Sequence, residues 1–176
     1  MIYMDKKTDK YPVRIRELSK RDIKESVKII NKTLGKHSAD LALEDLHLML
    51  KPVSRHRFQK GEKVRLNDTS YTFTRTRVAV NKKNRVVGLG GIYRLDTHPN
   101  KVVGIDWFAI DPRYQNMGVG SRFIKWMIKE AKRRNNRVLF VWEARSAEPF
   151  YKRFGFRRSN MNIGPRESSV LLIKHI

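Results

Sequence analysis

Residues 101–133 read KVVGIDWFAIDPRYQNMGVGSRFIKWMIKEAKR, and the fold turns on how this stretch divides. From Val102 to Ile110 the residues are almost wholly apolar, as in a strand covered on both faces, and Asp106 is the one charge. Beyond Val119, Ile124, Met127, Ile128 and Ala131 recur at i, i+3, i+4 and i+7, one stripe of an amphipathic helix. Arg122, Lys125, Lys129, Lys132 and Arg133 fall largely outside that stripe. Between strand and helix lies YQNMGVG, Tyr114 to Gly120. A turn in this place faces the unpaired N–H groups of the helix's first turn and the positive end of its dipole, an anion site that needs no charged side chain. Gly118 and Gly120 remove Cβ atoms that would hold a phosphate away from the backbone.

Spacing sets aside the two common nucleotide loops. A Walker A loop requires GxxxxGK[ST], but Gly120 is followed by Ser121-Arg122 and no glycine stands five residues before it. A Rossmann turn requires GxGxxG, and Phe123 occupies its last position.

Upstream, VRIREL (13–18) alternates apolar and charged residues in the rhythm of a half-buried strand. Ser19-Lys20-Arg21-Asp22 resembles a capping box, and Ile23, Val27, Ile30 and Leu34 follow at helical spacing before Gly35. A second helix is expected from Ser38 to Leu50, stopped by Lys51-Pro52. The segment 52–70 is a basic insertion, either a loop or a hairpin turning at Lys60-Gly61. Residues 72–80 and 85–95 read as a hairpin. Downstream, RVLFVWEA (137–144) is another buried strand, and Ser146 is placed to cap a short helix through Phe154 that Gly155 ends. GFRR opens a further strand and SSVLLIKHI closes the chain with another. Neither a repeat nor a linker divides the sequence, so residues 1–176 are expected to form a single domain of α/β or α+β class.

Two motifs carry a family resemblance. Gln115-Asn116-Met117-Gly118-Val119-Gly120 matches Q/R-x-x-G-x-G/A, introduced by Ile110-Asp111-Pro112-Arg113-Tyr114. About 30 residues on, Ala147, Phe150, Tyr151, Arg153, Gly155 and Phe156 match A-x-x-(F/L)-Y-x-(K/R)-x-G-F. In both, the chain resembles the GNAT superfamily of acyl-CoA-dependent N-acetyltransferases, most clearly from Lys101 to Arg158. The resemblance implies a mixed sheet of about six or seven strands, splayed between the fourth and fifth, with about four helices. It further implies acetyl-CoA as co-substrate and a primary amine as acceptor. The pantetheine arm would lie in the splay against Phe108, Ala109 and Ile110, where a backbone N–H polarises the thioester carbonyl. Gln115, Asn116, Met117, Gly118, Val119, Gly120 and Ser121 would hold the pyrophosphate, and Tyr151 would contact CoA.

Direct attack by the amine requires positioning, a proton acceptor and stabilisation of the departing thiolate. Tyr151 is the family's position for the last, a phenol that stays protonated at neutral pH. Two carboxylates are candidates for the base. Asp106 interrupts an apolar strand beside the expected gap, and Glu143-Ala144-Arg145 looks like the E-x-R of the ribosomal-protein acetylase branch, although Ala144 stands where that branch commonly has asparagine. Deprotonation through water is the third route.

Composition narrows the rest. The 176 residues include 39 Lys and Arg against 17 Asp and Glu, a net charge of +22. No cysteine is present, which excludes a disulfide framework, a thiolate nucleophile and Cys-ligated zinc. The five histidines, at 37, 47, 56, 98 and 175, lack ligand spacing, so no metal is assigned. The opening MIYMDKKTDK lacks a signal peptide's apolar run and no segment approaches the roughly 20 apolar residues of a membrane span, so a cytoplasmic monomer or homodimer is expected. Such a charge repels cationic acceptors and attracts polyanions. An acceptor on a ribosomal protein, a nascent chain or RNA fits it, met by basic surfaces at 52–68, 129–137 and 152–158. The alternative is a nucleic-acid or ribosome-binding protein on the same fold with little catalysis.

Overall fold

Asp22 shows how local sequence sets the first turn of the structure. Its carboxylate accepts the Ser19 backbone N–H at 2.8 Å and both terminal nitrogens of Arg16 at 2.7 and 2.8 Å. The expected capping box is therefore made, with aspartate reaching back where glutamate usually does. The computed structural model describes residues 13–50, 64–66, 69–143, 145–161 and 170–176. In order these form β1 (Arg14–Glu17), α1 (Ile23–Leu34), α2 (Lys36–Leu48), β2 (Val64–Leu66), β3 (Thr69–Val80), β4 (Val86–Leu95), β5 (Val102–Ile110), α3 (Val119–Arg133), β6 (Val138–Glu143), α4 (Glu148–Lys152), β7 (Arg157–Arg158) and β8 (Val170–His175).

Seven strands run β1-β3-β4-β5-β6-β8-β7 across one mixed sheet, and β2 pairs with the outer end of β3. Every pairing is antiparallel except β5 with β6. The expected fourth and fifth strands are thus β5 and β6, the count being shifted by β2 within the basic insertion. A turn at Lys60-Gly61 lies outside the described residues, and α2 ends at Leu48 with Met49 as its C-cap, two residues short of the expected Leu50. Helix α2 starts two residues before the expected Ser38 because Gly35, at φ +90°, turns the chain directly from α1 into it. Ser146 is not the cap of α4; it lies in a 3-10 turn over Arg145–Ala147, and Ala147 precedes the helix, which ends at Lys152 with Gly155 at φ +81°. Pro149 suits that first turn, where a missing N–H costs nothing.

Alternation along β5 divides the interior. Val103, Ile105, Phe108 and Ile110 pack with Phe123, Ile124 and Met127 of α3, whose full burial contributes roughly 1.5–3 kcal/mol each. Trp107 and Ala109 face the opposite layer, against Ile30 of α1 and Leu46 of α2. β5 is covered on both sides, which is why its sequence is almost continuously apolar.

Strands β5 and β6 stay paired only from Val102 opposite Val138 to Gly104 opposite Phe140. Beyond that point they part, while β6 continues along β8 as far as Glu143 opposite Val170. On its other side β5 carries a bulge. Leu89 stands opposite Ala109 but Gly91 stands opposite Asp106, so Gly90 alone answers to Trp107 and Phe108. Trp107 adopts φ +30° within the bulge. An extra residue of this kind bends its strand and increases its twist, here next to the gap.

Candidate active site

The gap opens beside the end of β5, and main-chain directions there follow from one bond. Asp111 donates its N–H to Val87 of β4, so by alternation Ala109 faces β4 and Ile110 turns its main-chain groups into the gap. Gln115 donates its amide nitrogen Nε2 to the Ile110 carbonyl at 3.0 Å, tying the loop to the strand. Asp111 accepts the N–H and side chain of Arg113, and these hydrogen bonds hold its carboxyl below the usual range.

The loop then spirals through two left-handed residues, Asn116 at φ +59° and Gly118 at φ +78°. Gly118 is the N-cap of α3 and no side chain caps that helix. The Arg122 N–H bonds back to the Gly118 carbonyl at 3.1 Å, leaving the N–H groups of Val119, Gly120 and Ser121 ahead of the helical ladder. Gly120 lies under the aromatic layer, where a Cβ would stand 3.3 Å from Phe150 and 3.4 Å from Phe108. A backbone so bared, at the positive end of a 15-residue helix, fits an anionic phosphate group.

Tyr151 comes to the same place from α4. It is 1% exposed, and its ring centroid lies 6.4 Å from Phe108, 5.2 Å from Phe150 and 5.5 Å from Phe156. Phe108 also stacks on Phe150 at 5.9 Å. The two sequence motifs, 30 residues apart, therefore meet around a bulge residue that belongs to neither.

The two candidate residues for the base stand on the two strands that part, β5 and β6. Asp106 lies two residues beyond the last paired residue of β5, half-buried, on the α1–α2 face by alternation with Ile105. Glu143 is the last residue of β6. The structure adds a third carboxylate that the sequence reading missed. Asp45 of α2 accepts the indole Nε1–H of Trp107 at 2.8 Å, and burial pushes its pKa above the ordinary carboxylate value. Nothing in KHSADLALEDLHL marks Asp45 apart from Asp40 or Glu44, because its partner is 62 residues away.

Two other buried carboxylates are held by cations. Burial opposes ionisation of Glu130, but hydrogen bonds from Arg133, Arg134 and Arg75 outweigh it and hold the carboxyl at about 2. Glu148 is held at about 2 by Arg158 and Lys152. Among the described residues no group of three His, Asp or Glu side chains is placed to hold a metal ion, and no helix is long and apolar enough to cross a membrane.

The sequence profile of the Acetyltransferase (GNAT) family matches residues 42–156. The chain belongs to that family. Its span takes in the bulge, the loop before α3 and Tyr151 together. No curated protein matches the GNAT chain by sequence. Solved structures share its fold. A GNAT-family acetyltransferase from Staphylococcus aureus Mu50 superposes with a TM-score of 0.69 at 17% identity, covering 93% of this chain and 99% of its own. Ard1 from Thermoplasma volcanium gives 0.67 at 21% identity over 93% and 97%. PaiA N-acetyltransferase from Thermoplasma acidophilum, solved with coenzyme A, gives 0.65 at 12% identity over 94% and 99%.

Proposed function

We propose that this GNAT protein transfers the acetyl group of acetyl-CoA to a primary amine in the cytoplasm. One observation carries the reading: a bulged strand parts from its parallel neighbour next to an uncapped helix N-terminus, and Tyr151 is packed against the bulge. A related fold that holds coenzyme A supports the choice of donor.

Each residue then has a task. The N–H groups from Asn116 to Ser121 bind the pyrophosphate, and Gln115 acts by fastening that loop to Ile110. Phe108 and Ile110 offer main-chain groups to the pantetheine arm; Ala109, turned to β4, supports them. As the amine nitrogen forms its bond to the acetyl carbon and the carbon–sulfur bond breaks, one proton leaves the amine and one reaches the thiolate. Tyr151 donates the latter. Asp106 and Glu143, on the two strands that part, are the two carboxylates for the former.

The acceptor, in this reading, is carried on or near a polyanion. Arg122, Lys125, Lys129 and Lys132 form an exposed row along α3, and among the described residues no carboxylate pairs with the three lysines. That row also favours a second reading, RNA or ribosome binding with little catalysis.

Acetyl-CoA separates the two. At about a hundred times its dissociation constant it should add about 2.7 kcal/mol of stability, or roughly 5–10 °C in Tm for a chain of this size. An amine and RNA acceptor screen should then release CoA thiol. Binding of RNA with a steep salt slope, weakened by Lys125→Glu with Lys129→Glu, and no thermal response to acetyl-CoA would favour the binding module instead.

A further inference from the structure

The bulge is where the donor's thioester would meet the main chain, so what holds the bulge matters to the reaction. Its two residues are braced from opposite faces of the sheet. Phe108 is held by close packing across from Gly90, the single residue opposite the bulge, where a Cβ would lie 3.0 Å from both Phe108 and Met127, closer than an ordinary contact. Trp107 is fixed differently. At φ +30° it occupies a region that bulky residues adopt only when their surroundings impose it. The indole lies half-buried against the α1–α2 layer, and its N–H is held by Asp45 at 2.8 Å. Among the described residues this is the one side-chain hydrogen bond between α2 and β5. Helix α2 is itself anchored, with Ala39, Ala42 and Leu46 buried on both sides of Asp45 in sequence.

We infer that Asp45 is a positioning residue for acetyl transfer: through Trp107 it keeps the β5 bulge in the shape that presents Phe108 to the thioester. The inference rests on the transferase reading above. The path is short and continuous. Asp45 grips Trp107; the next residue is Phe108; the ring of Phe108 touches the layer that contains Tyr151 and lines Gly120. Loss of the grip lets Trp107 relax toward an ordinary extended conformation, which re-aims the peptide between Trp107 and Phe108. The pyrophosphate loop, attached through Gln115 to Ile110, is left in place. The effect should therefore fall on turnover and leave donor affinity nearly untouched.

Asp45→Leu and Trp107→Phe each remove the bond, whereas Asp45→Asn keeps an acceptor oxygen for the indole. With folding checked by circular dichroism and Tm, kcat in Asp45→Leu and Trp107→Phe should drop on the order of 10–100-fold. KM for acetyl-CoA should stay within about threefold, Asp45→Asn should recover most of the rate, and the double variant should be no slower than either single one. A readout independent of turnover is the indole proton–nitrogen resonance of Trp107, assigned by its absence in Trp107→Phe. It should move in Asp45→Leu and on addition of coenzyme A. A purely structural bond would lower Tm and leave kcat unchanged, and that result overturns the inference; so does an Asp45→Asn enzyme as slow as Asp45→Leu. If the wild-type protein takes up no acetyl-CoA, the transferase reading itself is overturned. The two failures are distinct, because the indole resonance still reports the Asp45–Trp107 bond.

Discussion

Replacing Glu130 with glutamine tests the electrostatic anchor of the helix that carries the anion loop. Glu130 lies near the end of α3 with its side chain 6% exposed, and Arg75 on β3 together with Arg133 and Arg134 converges on one of its oxygens at 2.7–2.8 Å. The carboxyl falls from 4.5 to about 2, equivalent to about 3 kcal/mol at 1.36 kcal/mol per pH unit. Arg133 is 60% exposed, so solvent screens part of that interaction and we expect Glu130→Gln to cost about 2 kcal/mol at pH 7. For a chain of this length that is roughly a 4–8 °C fall in Tm. The sign with pH is fixed by a folded value below the unfolded one: the stabilisation is complete above about 4.5 and drains away as pH falls toward 2. Urea unfolding of both proteins at several pH values between 2 and 7 measures it. A difference below about 0.5 kcal/mol at pH 7, or one that persists unchanged into acid, would refute the proposed anchoring.

Three further outcomes are expected. Tyr151→Phe should lower kcat on the order of a hundredfold while isothermal titration finds acetyl-CoA affinity nearly unchanged; equal turnover would remove the phenol from the mechanism. Gly118→Val places a branched side chain at φ +78°, so acetyl-CoA binding should weaken at least tenfold and Tm should drop, both checked on the same purified sample. His98 is held neutral, at about 4, first by burial and then by Arg94, and its Nδ1 accepts the Leu95 N–H. Stability should accordingly be lost as pH falls from about 6.5 to 4, and His98→Gln should flatten that part of the unfolding profile; a profile identical to wild type would show that His98 titrates normally.

Much of the site was legible because its chemistry is local. The strand, the turn at Gly118 and Gly120 and the amphipathic helix follow one another within 33 residues, and each has a signature of short period. Both motifs are continuous runs of the sequence, and Gly118 and Gly155 do adopt the left-handed conformation for which glycine suits them. Less legible were the boundaries: α2 begins at Lys36 and α4 is capped by Ala147, since Gly35 and Pro149 decide those starts more strongly than the polar residues nearby. The bond from the Gln115 side chain to the Ile110 carbonyl has no signature in the motif.

Sequence alone determined the order of strands and helices apart from β2, the bare turn before α3 and the excess of positive charge, because hydrophobic period, glycine placement and charge are properties of neighbouring residues. Only the tertiary structure decided where β5 breaks from β6, which rings surround Tyr151 and that Asp45 grips Trp107. Those depend on strand register and on side chains brought together from distant parts of the chain, and a one-residue bulge that no local pattern announces sets which face each of them meets.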